Sequence, residues 1–239
     1  MPLLFSSFDV QGIFDHLSTS RAIQVVNSLR DNMDKFGINT EFSLAHFLSQ
    51  AGHESGRFRV TEENLKYSAK QLVKLWPKKF SAAETKGKVL ASDYAYHPEL
   101  IANYIYAKKT LGNVPGTSDG WNFRGRGFIQ LTGKANYKAF EHFYNNTYPV
   151  AIDLMAYPDQ LADDFNLAMI SALWYFKTRV MDKTNIQSAT VEKVTQLVNG
   201  GQNGINDRKI LFTKALNNLK SIYVPFIDVD VNNYEFVGQ

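Results

Sequence analysis

Two glutamates nine residues apart, in unlike surroundings, are the first candidates for chemistry in this chain. Glu54 closes a helical pattern in which Leu44, Phe47, Leu48 and Ala51 recur at the i, i+3, i+4, i+7 spacing of a buried stripe. It falls seven residues after Phe47, on the same face. Thr40 suits the N-cap of that helix and Gly56 its C-terminal stop. Glu54 therefore occupies the last turn, at a core's edge, where unpaired carbonyls present partial negative charge. Burial and that dipole both disfavour an ionised carboxyl, and a carboxyl kept protonated near neutral pH can donate to a leaving-group oxygen. Glu63 lies in the loop beyond. Two carboxyl groups in unlike environments are what glycosidic cleavage requires. The plainer reading is that Glu54 merely ends a helix, paired with Arg57 or Arg59.

Other chemistries find less support. Cysteine is absent, which removes disulfides, thiol nucleophiles and thiolate zinc sites together. His53-Glu54 begins like a zinc-protease motif, but Arg57 stands where the second histidine would fall. Neither a serine nucleophile elbow nor a phosphate-binding glycine loop occurs. The pair Arg124-Gly125-Arg126-Gly127 lacks the repeats and interleaved aromatics of a nucleic-acid segment. Its arginines fit structural ion pairs or bidentate carboxylate anchors better.

Three sequence blocks share a single resemblance. His53-Glu54-Ser55-Gly56 with Glu63-Asn64-Leu65-Lys66-Tyr67-Ser68 resembles the catalytic region of family 19 glycoside hydrolases, in its bacteriophage endolysin branch more than its plant chitinases. Asn122 to Tyr137 looks like that family's glycine-rich strand and turn, and Asn199 to Arg208 like its third block. The resemblance implies a mainly α, lysozyme-like fold of two lobes around a groove, with a small β-hairpin region beside it. It implies that Glu54 is the acid, that Glu63 activates a water on the opposite face of the sugar, and that Thr132 helps to hold that water. Gln130, Tyr137 and Asn199 match positions that line the sugar cleft. Glu62 adjoins Glu63, and the interval from Glu54 together with the following Asn64-Leu65 favours Glu63.

The implied activity is hydrolysis of β-1,4 bonds in peptidoglycan by an inverting muramidase acting in host lysis. A chitinase on N-acetylglucosamine polymers and a catalytically silent wall-binding protein are the alternatives. No metal or cofactor is called for, and the expected partner is the peptidoglycan strand, met by a monomer.

The remaining sequence must position these groups. Helical patterns cover residues 21–36, 41–55, 68–76, 82–92, 98–109, 134–146, 159–178, 190–199 and 206–221. Leu167 to Phe176 is apolar nearly all round and predicts a buried central helix. Phe128-Ile129-Gln130-Leu131-Thr132 has the composition of a short strand after glycines that permit a tight turn or close approach to a ligand. Val191, Val194, Leu197 and Val198 form a helical stripe that Asn199-Gly200 would cap.

At 239 residues, with 44% hydrophobic and 13% aromatic content, the chain can bury a substantial core. One catalytic domain is expected over 1–239, with its core at about 20–221 and an extended β-rich tail over 222–239. Net charge is only +3, so no global field argues for nucleic acid. Lys70, Lys74, Lys78, Lys79, Lys86 and Lys88 form a local run, read either as a solvated face or as a surface for an anionic wall or membrane. The N-terminus lacks a basic start followed by a long apolar run, and no segment reaches the roughly 18 apolar residues of a membrane span. The expectation is synthesis in the host cytoplasm, action in the periplasm, and no stable membrane insertion.

Overall fold

The computed structural model describes residues 3–219. The tail expected over 222–239 lies outside them. Twelve α-helices occur among the described residues: α1 Ser7–Ile13, α2 Thr19–Asn32, α3 Glu41–Glu54, α4 Ala69–Leu75, α5 Ala91–Tyr94, α6 Pro98–Ile105, α7 Asp119–Asn122, α8 Lys134–Thr147, α9 Gln160–Asp163, α10 Phe165–Phe176, α11 Val191–Asn199 and α12 Ile205–Asn218. The two strands, β1 Phe80–Ser81 and β2 Val89–Leu90, pair in parallel.

Two apolar clusters define two lobes. The large one gathers α1, α2, α3, α8, α10, α11 and α12 around buried Leu44, Phe47, Leu48, Met169, Ile170 and Phe176. Its centre is α10, buried nearly all round as its composition predicts, with the Asp164 side chain accepting the Leu167 N–H at its start. The small lobe holds α4 to α6 and both strands around Leu65, Leu72, Phe80, Ile101 and Ile105. Aromatic rings pack around that core: Phe80 meets Tyr94 and Tyr104 edge-on, and Tyr67 meets Trp76 likewise.

Departures from the sequence reading have local causes. Helix α1 was not anticipated, yet it opens with a Ser6–Asp9 capping box and buries Val10 and Ile13, so the core begins well before residue 20. Over 82–92 the only helix is the single turn of α5, because residues 82–88 are all exposed and have no apolar stripe to dock. The strand expected over 128–132 shrinks to a bridge between Arg126 and Leu131, closed by Arg126 N–H to Leu131 O at 3.1 Å and Leu131 N–H to Arg126 O at 2.8 Å. A second bridge joins Arg126 to Glu62. Phe128, Ile129 and Leu131 are buried in this tight loop by the large core, so their apolar character serves packing and not a ladder. The two-strand sheet lies instead in the small lobe.

Candidate active site

Helix α3 carries Glu54 to its position. Thr40 caps the helix as expected, its hydroxyl accepting the Ser43 N–H at 3.1 Å while Ser43 Oγ takes the Thr40 N–H at 3.1 Å. At the other end the Ser55 hydroxyl donates to Ala51 O at 2.6 Å and accepts the Phe58 N–H at 2.8 Å. The chain then turns through three successive left-handed residues, Gly56, Arg57 and Phe58, with φ of 57°, 67° and 57°. For the two that carry a Cβ this costs about 1–2 kcal/mol each. Two anchors hold the turn against that strain. Phe58 is buried edge-on between Phe14 and Phe128. Arg57 grips Asp207 with both terminal nitrogens, at 3.0 and 2.5 Å, and His53 Nδ1 reaches the same carboxylate at 2.5 Å. Burial alone would raise the Asp207 pKa, but those two partners outweigh it and hold the carboxyl below its usual range.

Glu54 does not pair with Arg57 or Arg59. It accepts a hydrogen bond from Arg208 of α12, the helix packed along α3. Arg208 is 1% exposed, and every arm of its guanidinium is bound: one to Glu54, one to Gln50 Oε1 at 2.6 Å, and Nε to Asn203 O at 3.1 Å. Gln50 in turn donates to Thr195 Oγ1 of α11 at 3.2 Å. The Glu54 side chain keeps 22% exposure. It is a rim carboxyl held by an interior cation, where the sequence suggested a carboxyl governed by partial burial and the helix dipole.

Glu63 lies where the lobes meet. Tyr106, at the end of α6, donates to its Oε2 at 2.6 Å, and the Gly125 N–H donates to Oε1 at 2.6 Å. Burial pushes the Glu63 pKa up, against the opposing pull of those two bonds and of nearby Arg124 and Arg126. The phenol of Tyr106 is driven up as well, by burial first and then by Glu63, so it keeps its proton and remains a donor. Glu62 points elsewhere, to the buried guanidinium groups of Arg124 and Arg126, which also share Asp159. Adjacent carboxylates thus have separate duties. Glu62 neutralises interior arginines, and Glu63 is held between Tyr106 and Gly125.

Gly125 shows what surrounds Glu63. A Cβ placed there would lie 3.2 Å from Glu63 Oε1, 3.2 Å from Thr132 Oγ1 and 2.7 Å from Gln130 Oε1. Three side-chain oxygens, from Glu63, Gln130 and Thr132, therefore crowd one face of Gly125, and any side chain there would press into them. Thr132 donates to Gln130 O at 2.9 Å, so its hydroxyl lone pairs remain for another donor. A water held by the Thr132 hydroxyl beside Glu63 would meet a carboxylate able to take its proton.

The other expected cleft residues divide. Gln130 joins this cluster, on a backbone with φ of 58°. Tyr137 does not line the cleft: its ring is fully buried, its hydroxyl donating to Arg124 O at 2.6 Å and accepting from Arg126 at 3.0 Å. That ring packs edge-on against Phe123 and braces the loop from behind. Asn199 spends its amide on its own loop, accepting the Gly201 N–H at 2.8 Å and donating to Asn203 O at 3.3 Å. Asn203 O then holds Arg208, so Asn199 acts on Glu54 through the loop. The sequence reading assigned no role to Arg208, although it ended the third block, or to Tyr106, which lies 43 positions from Glu63 with no local signal to mark it. A depression of about 890 Å³ between α2, α8 and α10 is lined by Gln24, Asp31, Tyr144 and Asp163 among others, and by none of these candidate residues.

Comparison with known proteins converges on the same class. No family model matches the chain. A glycosyl hydrolase family 19 domain-containing protein of Haemophilus influenzae is 35% identical over 212 residues, covering 89% of this chain and 96% of that protein. Chitinase C from Streptomyces griseus shares the fold with a TM-score of 0.57 at 18% identity, over 91% of this chain and 93% of that one. A further bacterial family 19 chitinase aligns with a TM-score of 0.55 at 18% identity, over 90% and 94% of the two chains. The chain belongs to glycosyl hydrolase family 19. It is a glycoside hydrolase of the chitinase-like, lysozyme-like type.

Proposed function

We propose that this enzyme is a muramidase that cleaves β-1,4 bonds of bacterial peptidoglycan by single displacement. The observation that carries the reading is the clustering of Glu63 Oε1, Thr132 Oγ1 and Gln130 Oε1 around Gly125, with Glu54 held by an independent scaffold. Glu54 is the general acid: Arg208 fixes Oε1 and leaves Oε2 to carry the proton to the leaving oxygen. Glu63 is the general base, oriented by Tyr106 and Gly125, and it draws a proton from a water that Thr132 helps to place. Gln130 borders the sugar subsite, and Asn199 shapes the loop behind Arg208. An inverting reaction needs roughly 6.5–9.5 Å between the two carboxyl groups so that water fits beside the anomeric carbon.

Peptidoglycan is favoured over chitin by the blocks around Glu54 and Glu63, which resemble phage endolysins. The same resemblance supports a role in host lysis, with a monomeric enzyme made in the host cytoplasm and reaching the periplasm through a separate membrane-permeabilising protein. Among the described residues no helix is long and apolar enough to cross a membrane. Chitin cleavage is the second reading, since two structural neighbours are named chitinases.

The test is digestion of purified sacculi beside chitin oligomers. Products with muramic acid at the new reducing end, initially in the α configuration by nuclear magnetic resonance, are the expected result. Initial β anomers would exclude single displacement. Reducing-end glucosamine would make the enzyme a glucosaminidase, and activity confined to chitin oligomers would make it a chitinase.

A further inference from the structure

The small lobe carries a charge that the catalytic reading leaves unused. Residues 65–111 hold nine lysines, no arginine and three acidic side chains, an excess larger than the +3 of the whole chain. Eight of the nine lysines are exposed. None forms an ion pair among the described residues; the lysines that do, Lys134, Lys177, Lys209 and Lys214, lie outside this segment. Lys70 and Lys74 stand one turn apart on α4, where like charges repel with no acid on that helix to offset them. Lys79 is crowded too: burial first, and then the charge of Lys108, depress its pKa.

In sequence this positive segment adjoins the candidate active site at two points. Lys66 follows Glu63 by three residues, and Lys108 follows Tyr106, the Glu63 partner, by two. Helix α4 and the loop carrying Lys86 and Lys88 continue it outward over the same lobe. A chitin chain is neutral and gives such a surface nothing to bind. A peptidoglycan strand has the same sugar backbone but projects peptide stems bearing free carboxylates from alternate sugars.

Resting on the muramidase reading, we propose that the small lobe is a binding surface for the stem-peptide carboxylates of peptidoglycan, engaged while the glycan lies beside Glu63. Its lysines raise the local concentration of the anionic strand and select it over neutral glycans. Because these charges are solvated, their contribution is screened by salt.

The experiment compares intact sacculi with sacculi whose carboxyl groups have been amidated by carbodiimide coupling. Wild type and the triple variant Lys70→Glu, Lys74→Glu, Lys86→Glu are assayed on both, with thermal melting confirming that the variant folds. The half-saturating amount of intact sacculi is expected to rise about fivefold or more in the variant, and less than about twofold on amidated sacculi. Raising salt from about 20 to about 200 mM should weaken wild type on intact sacculi and not on amidated ones. Equal responses on the two preparations, or none on either, would overturn the carboxylate surface while leaving the muramidase reading in place. Failure of wild type to cut either preparation, with chitin oligomers cut, would overturn both.

Discussion

Glu54 and Glu63 solve opposite electrostatic problems. Glu54 keeps partial contact with solvent and meets a full positive charge, because Arg208 comes from the interior and has no route to water. Glu63 meets no cation directly; a phenol and a backbone amide bind its two oxygens while burial works against its charge. The first group is part of the cement between α3 and α12. The second is an electrostatic liability kept in place by hydrogen bonds. Removing either should stop turnover, but only the first should weaken the fold.

The largest effect is expected for Glu54→Gln, which replaces by an amide both the acid of the reaction and the acidic partner of buried Arg208. Turnover should fall by at least about 10². Stability should drop on the order of 1–3 kcal/mol, since Arg208 keeps an acceptor but loses its counter-charge. Unchanged melting would show that the Arg208 contact carries no load.

Glu63→Gln should cost a similar factor in turnover, yet melt no lower than wild type at neutral pH, because a neutral amide avoids the desolvation that the carboxylate suffers. Glu62→Gln provides the opposite control. It should lower melting by leaving Arg124 and Arg126 short of charge, while activity per folded molecule stays near wild type. Reversed outcomes for the two neighbours would transfer the catalytic assignment to Glu62.

A smaller loss is expected from Thr132→Ala, where one hydroxyl to a positioned water contributes about 1 kcal/mol, or roughly fivefold in rate. Gly125→Ala should exceed it, since the added methyl would stand 2.7 Å from Gln130 Oε1 and 3.2 Å from Glu63 Oε1 and Thr132 Oγ1 and displace them together. Rates in the reverse order would mean that the placement of these oxygens is of no consequence.

Tyr106→Phe is the mildest and the most specific change. The Tyr106 hydrogen bond favours ionised Glu63, so its loss should raise the Glu63 pKa further above the ordinary value. The base is active only when ionised, so the acid limb of the pH–rate profile should move to higher pH, with activity near pH 8 little affected. An unmoved acid limb would separate Glu63 from the base role.

Local pattern and tertiary context contributed different parts of this picture. The period and caps of α3, the all-round apolar α10 and the stripe of α11 are readable because helix periodicity and end chemistry are properties of neighbouring residues. The segment 82–92 misled because helix-forming composition without a buried face does not make a helix. Phe128 to Leu131 misled because β-rich residues can as well pack a tight loop.

At the candidate site the residue types and spacing marked Glu54 and Glu63, and the family resemblance added Gln130 and Thr132. Their partners were another matter. Arg208 reaches Glu54 across 154 positions and Tyr106 reaches Glu63 across 43, and no local rule predicts which distant side chain the packing of α12 on α3, or of the small lobe on the large, delivers to a carboxylate. Tyr137 shows the same limit in reverse, since a tyrosine beside a glycine-rich turn reads equally well as a cleft wall or a buried brace. Neighbouring residues thus mark most of the long helices, the two carboxyl groups and their order along the chain. Which carboxyl is charge-paired and which is desolvated follows from packing, because both properties belong to the space around a group and not to its neighbours in the chain.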